Sequence, residues 1–175
     1  MSQRARVLLF TGEGKGKTTA ALGMVLRACG HGLRSIVIQF IKSDSSTGEI
    51  RALRSLPGAR IEQVGLGFVP QPDAPEFPAH CAAAQKGLAL AAGAIESGDY
   101  SLVVLDEICT AVSYGLVQEQ AVCEAVERAG PDCCVVLTGR GATHRLLALA
   151  DTVTQMQCVK HGLDTGHKAQ EGVEF

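Results

Sequence analysis

The stretch "TGEGKGKTT" runs from Thr11 to Thr19. It resembles a phosphate-binding loop, whose standard spacing is G-x-x-x-x-G-K-[ST]. Gly16, Lys17 and Thr18 supply the end of that pattern, but Gly12 leaves three residues before Gly16 instead of four. Gly12, Gly14 and Gly16 allow the backbone to turn its N–H groups toward one anion, with Glu13, Lys15 and Thr19 as the intervening and following positions. A helix beginning at the loop adds the positive end of its dipole. Lys17 is placed to meet phosphate oxygens as a point charge, and Thr18 to bring a hydroxyl to a magnesium ion. The competing reading is a glycine-rich turn that binds nothing. It would leave Lys15 and Lys17 crowding a helix N-terminus, where anions and not cations are favoured.

The flanks supply the context such a loop needs. "ARVLLFT" (5–11) is a continuous apolar run, as expected of a strand buried on both faces. After the loop, Ala21, Leu22, Val25, Leu26 and Cys29 form one stripe at helical spacing, ended by "GHG" at 30–32. Further strands are expected at 34–41, 60–66, 100–107, 133–139 and 152–159, with helices at 79–97, 108–129 (broken near Tyr114-Gly115) and 143–150. Four prolines between Pro70 and Pro78 mark 68–78 as an extended loop. This alternation predicts an α/β fold: a parallel-sheet, P-loop NTPase-like (RecA-like) three-layer sandwich of about six strands. With 175 residues and no linker, it is read as one domain over 1–175. Ligands in such sheets bind beyond the carboxyl ends of the strands.

Bulk properties exclude several classes. A net charge of −2 offers no basic surface for nucleic acid. No apolar run approaches the ~18 residues of a membrane span, and "VLLF" is too short for a signal-peptide core. The seven cysteines contain no C-x-x-C pair, which argues against zinc and fits reduced core thiols in a cytoplasmic protein. The five histidines show no H-x-x-x-H spacing and suit surface or capping roles.

Two further stretches bear chemistry. "LVVLDE" (102–107) is an apolar strand ending in paired acids, the pattern of a Walker B carboxylate that holds magnesium directly or through water. If the strand continues, Asp106 and Glu107 point to opposite faces, so one of them reaches the metal directly. In "TGRG" (138–141), Arg140 is placed either to meet a phosphate or to lie as a surface arginine in a turn.

Residues 11–42, "TGEGKGKTTAALGMVLRACGHGLRSIVIQFIK", closely resemble the P-loop ATP:corrinoid adenosyltransferases. So do "GE" (48–49), "GLGF" (65–68), "VVLDE" (103–107), "LTGRG" (137–141), "LADTV" (149–153) and "VKHGLDTGHKAQEGVEF" (159–175), in order over nearly the whole chain. The resemblance implies that cobalt(I) of a reduced corrinoid attacks the 5′ carbon of ATP and triphosphate departs. Cobalt(I) carries no proton, so no general base is required. The protein's work is to stabilise the leaving triphosphate and hold the ribose carbon in line. The alternatives from other classes are a P-loop kinase or ATPase acting on the γ-phosphate, and a nucleotide-binding regulator without turnover.

Carried over residue by residue, Gly12 to Thr18 would cradle the triphosphate. Thr18 and Glu107 would hold Mg²⁺ (or Mn²⁺), with Asp106 behind them. Arg27 resembles a family arginine close to the nucleotide, and Phe68 an aromatic that lies against the corrinoid. The resemblance also implies a homodimer and a reduced flavoprotein as electron donor. Well-known members carry tryptophan two positions after that aromatic, where this chain has Pro70 and no tryptophan anywhere. Either Phe68 suffices, another aromatic such as Phe77 substitutes, or the substrate is an incomplete corrinoid of the cobyrinic acid a,c-diamide type. Only a slight N-terminal lid is expected.

Overall fold

The computed structural model describes residues 4–173. The buried run at the start forms β1 (Arg6–Thr11), and the glycine loop leads into α1 (Lys17–Gly30). Then follow β2 (Ser35–Gln39), α2 (Gly48–Ser55), β3 (Ala59–Gln63) and α3 (Phe77–Glu96). The second half contains β4 (Leu102–Asp106), α4 (Ile108–Ser113), α5 (Glu119–Glu127), β5 (Cys134–Thr138), α6 (His144–Leu149) and β6 (Thr152–Gln155). A short 3-10 turn at Gly162–Thr165 comes last. The six strands make one all-parallel sheet in the order β3-β2-β4-β5-β1-β6.

Position in that order explains composition. The inner strands β2 and β4 are buried at every residue, and β4 reads Leu-Val-Val-Leu-Asp. The edge strand β6 is exposed throughout and carries threonines and glutamine. Alternate side chains feed two cores. Leu9, Ile38, Leu105 and Leu137 face one side, packed with Ala91 and Ile95 of α3, Ile108 of α4, Val122 of α5 and Leu146 of α6. Phe10, Val37, Val104 and Val136 face the other, under Ala21 and Val25 of α1 and Leu53 of α2. Helices therefore cover both faces, as the alternation predicts.

Three local expectations change. α2 was not anticipated from the polar stretch after β2. The proline-rich segment ends earlier than 78, because Pro78 occupies the first turn of α3, where its missing N–H costs nothing. The strand at 100–107 stops at Asp106, and Glu107 adopts a left-handed backbone (φ 64°, ψ 21°) as N-cap of α4. The two acids therefore separate by a change of backbone direction and not by strand alternation.

The chain leaves β1 toward β2 on one side and leaves β5 toward β6 on the other. Such a reversal opens a crevice beyond the carboxyl ends of the strands. The register sets Gln39 beside Asp106, and Phe10 beside Thr138, at that end.

Candidate active site

The loop is shaped by its contact with the chain leaving β6. Gly12 has φ 92°, and a Cβ there would lie 2.4 Å from the Met156 carbonyl oxygen. The Gly14 N–H donates to that same oxygen at 2.7 Å. Gly16, at φ 105°, is the N-cap of α1 and has no side chain with which to cap it. No acidic residue stands in the first turn of α1. The first-turn N–H groups thus open toward the crevice, a setting that favours an anion.

Lys17 is almost fully buried and its Nζ donates to the carbonyls of Gly12 and Gly14, each at 2.7 Å. Burial pushes its ammonium below the ordinary lysine range; the charge of Glu107 opposes this, and Arg140 adds to it. A lysine turned into its own loop and poorly hydrated is poised to exchange carbonyl partners for phosphate oxygens.

Asp106 is the hub behind the loop. Its Oδ1 accepts from the hydroxyls of Thr18 and Thr138, both at 2.8 Å, and its Oδ2 from Gln39 Nε2 at 3.1 Å. The carboxylate has no solvent exposure, so these donors stand in for water. Thr138 Oγ1 also accepts the Glu107 N–H at 2.9 Å, which pins the left-handed residue. Glu107 Oε2 accepts from Thr110 Oγ1, and that hydroxyl accepts the Arg140 N–H at 3.0 Å. The Arg140 side chain lies 3.3 Å from Glu13 Oε2. Among the described residues no buried side-chain polar atom lacks a partner.

These residues wall a cavity of about 920 Å³. The polar lining comprises Gly14 to Thr19 with Lys42, Glu49, Glu107, Thr110 and Arg140; the apolar lining includes Phe68, Val69, Pro70, Pro72, Phe77 and Tyr114. Phe68 is 93% exposed, an unusual state for a phenyl ring that lines a cavity.

The loop residues, Thr18, Glu107, Arg140, Phe68 and Phe77 are thus brought to one place. Arg27 is not. It lies in the last turn of α1, exposed, ten residues past Lys17, or ~15 Å along the axis at 1.5 Å per residue. Lys42, Glu49, Gln39, Thr110 and Thr138 were missed as site residues. Gln39 had a readable signal, as the one polar residue inside the run "IVIQFI" at 36–41. Cys109, Cys123 and Cys133 are buried as expected, but Cys158 is exposed.

A hard divalent cation suits what is present. No group of three or more His, Cys, Asp or Glu suited to a metal occurs among the described residues. The Thr18 hydroxyl and Glu107 carboxylate are oxygen donors, and magnesium typically takes one or two carboxylates with substrate phosphates and water. The donor set therefore fits a cation that arrives with a polyphosphate.

Residues 3–175 match the family model described as ATP:corrinoid adenosyltransferase BtuR/CobO/CobP. The chain is 39% identical over 174 residues to a corrinoid adenosyltransferase of Pseudomonas aeruginosa, covering 99% of this chain and 85% of that protein. It is 38% identical over 175 residues to the corrinoid adenosyltransferase CobA of Salmonella typhimurium, covering 99% and 87%. With a corrinoid adenosyltransferase of Escherichia coli the identity is 36% over 173 residues, covering 99% and 87%.

Proposed function

The chain belongs to the ATP:corrinoid adenosyltransferase family, and from that premise we propose that it transfers the 5′-deoxyadenosyl group of ATP to the cobalt(I) of a reduced corrinoid. The cobalt electron pair forms the cobalt–carbon bond, the bond from the 5′ carbon to oxygen breaks, and its electron pair leaves on triphosphate. The observation that supports this reading best is a single cavity joining an anion-binding loop to an exposed apolar platform at Phe68. A phosphate-rich substrate and a broad flat one fit those two ends.

Gly12 to Thr19 would cradle the triphosphate, Gly14 to Thr19 from the cavity wall, with Lys17 as its principal cation and Arg140 at its margin. Thr18 and Glu107 would hold Mg²⁺, and Asp106 would orient Thr18 through the hydrogen bond already in place. When bound there, the ion would neutralise charge on the triphosphate. No base is needed, since the nucleophile carries no proton. Burial of Lys17 away from water strengthens its attraction for the charge that develops on the leaving oxygen. Phe68 would pack against the corrinoid, and Phe77, at the same mouth, is the aromatic that could share this role where Pro70 stands.

We place the protein in the cytoplasm, as a single domain over 1–175, where seven unpaired cysteines would stay reduced. No helix among the described residues is long and apolar enough to cross a membrane. A homodimer and a reduced flavoprotein electron donor complete the proposal on family grounds. Phosphorus NMR of a reaction with ATP, Mg²⁺ and chemically reduced corrinoid tests it. Intact tripolyphosphate with adenosylated corrinoid is expected; ADP and orthophosphate as the products would overturn it.

A further inference from the structure

We propose that Lys42 is a further polyphosphate-binding cation of this site, meeting the triphosphate from beside Thr18, whose partner Asp106 it also approaches; the proposal rests on the adenosyl-transfer reading. Among the described residues the cavity lining has four cations, Lys15, Lys17, Lys42 and Arg140, and two acids, Glu49 and Glu107. Arg140 rests against Glu13 and Lys42 against Glu49 and Asp106, so these cations are held by nearby acids until a polyanion competes for them.

The backbone that delivers Lys42 is fixed. The Phe40 N–H donates to the Asp106 carbonyl at 3.0 Å, and the Ile41 carbonyl accepts from the Gly67 N–H at 2.8 Å. Gly65 lies so close that a Cβ there would meet the Ile41 carbonyl at 2.2 Å. The head group, by contrast, is weakly held. Lys42 Nζ is 3.3 Å from Glu49 Oε1 and 3.7 Å from Asp106 Oδ2, with its side chain 34% exposed. Asp106 does not need it, since three other side chains already donate to that carboxylate. The pair with Glu49 is partly exposed on both sides and contributes little to stability; the buried Asp106 is held by its three hydrogen-bond donors. A lysine on a rigid base, facing a cation-rich cavity and only loosely tied to two acids, is free to turn to a ligand. Breaking the bond to the 5′ carbon puts a further charge on the triphosphate, so the contact would strengthen during the reaction.

The test is calorimetric titration of the apo protein with inorganic tripolyphosphate, without corrinoid. Lys42→Gln should weaken binding about tenfold to hundredfold, the usual worth of a hydrogen bond to a charged group. Its apo melting temperature should move by no more than about 3 °C. Lys42→Arg should bind within a few-fold of wild type. Glu49→Gln, which releases Lys42 from its resting partner, should bind as tightly or more tightly. In turnover, Lys42→Gln should lower kcat more than it raises KM. Wild-type tripolyphosphate affinity in Lys42→Gln overturns the proposal. So does weakening of tenfold or more by Glu49→Gln relative to wild type, which would mean that the pair acts only as a structural tie; that measurement needs no Lys42→Gln protein. Because no turnover enters the binding titration, a wrong product in the NMR experiment would sink adenosyl transfer and leave this result separately readable.

Discussion

Thr138→Val removes one hydroxyl and almost no volume, and it should be among the most damaging conservative changes in the chain. Thr138 is fully buried at the end of β5. Its Oγ1 donates to Asp106 Oδ1 at 2.8 Å and accepts the Glu107 N–H at 2.9 Å. Valine offers neither function. The Glu107 amide, in a left-handed backbone that non-glycine residues seldom adopt, would lose its acceptor. An unsatisfied buried N–H costs about 1–3 kcal/mol, and a lost hydrogen bond to a charged group about 1.5–3 kcal/mol. Thr18 still donates to the same Asp106 oxygen, so part of the second loss is recovered. A net destabilisation of about 2–4 kcal/mol remains, or roughly 5–15 °C in melting temperature for a chain of this size. Scanning calorimetry of wild type, Thr138→Val and Thr138→Ser reads it directly. Serine keeps the hydroxyl and should recover most of the loss. ATP affinity should fall in the valine variant as well, since Glu107 is released. A valine variant that melts within 2 °C of wild type (about 0.5–1 kcal/mol) would show that the Thr138 bridge contributes nothing and that the left-handed turn holds itself.

Other outcomes follow from the same geometry. Lys17→Ala should reduce ATP affinity at least tenfold by titration calorimetry, given the worth of a charged hydrogen bond, while Arg27→Ala, at the far end of α1, should bind ATP like wild type. Gly12→Ala puts a Cβ 2.4 Å from the Met156 carbonyl at φ 92°, so it should displace the loop from the 156–157 segment and abolish ATP binding, whereas Gly23→Ala, with open space around it, should be tolerated. Burial pushes the Cys109 thiol up to about 12 from 9.0, with Glu107 adding to the shift. The folded state then holds a proton that the unfolded state releases, so stability is intact below pH 9 and falls as pH rises from 9 toward 12. On the order of 4 kcal/mol is at stake, and urea denaturation of Cys109→Ala should show a flatter alkaline limb. Phe68→Ala should leave apo stability unchanged, because the ring is exposed, and should lower turnover with reduced corrinoid without changing ATP affinity.

The inner sheet and the loop were legible because their signals are local. Buried parallel strands such as Leu102–Asp106 must be apolar throughout, and a helix that starts at Gly16-Lys17-Thr18 needs its glycine at the N-cap. α2 had weaker marks. Only Ile50 and Leu53 are buried, three apart, although Glu49 in the first turn and Arg54 in the last both suit the helix dipole. Lys42 and Glu49 come from a segment without periodicity, and their pairing depends on where α2 packs, which no spacing encodes. Thr138 and Thr110 were hidden for another reason. Thr138 takes both its partners, and Thr110 its Arg140 partner, from about 30 positions away, across a strand order that leaves no trace in the local pattern. Arg27 shows the opposite effect: ten residues past Lys17, it lies nearly three helical turns away and outside the cavity lining.

The short spacing from Gly12 to Gly16 now has a physical setting as well as a chemical one. Gly12 and Gly14 both lie against the backbone at Met156–Gln157, and the Gly14 N–H is spent on the Met156 carbonyl. That amide does not point freely at a phosphate. The anion site therefore depends more on the first-turn N–H groups of α1 and on Lys17, whose two carbonyl acceptors belong to Gly12 and Gly14 themselves. Lys17 has a third N–H for a phosphate oxygen, and any further phosphate contact would be made at the expense of those carbonyls. The loop and the chain leaving β6 are thereby coupled, since the glycines that hold Lys17 are the ones resting on Met156. The same C-terminal chain returns to the cavity at Gly172 and Val173. The short loop thus rests on the chain that leaves β6, and a longer loop would have to rebuild those contacts.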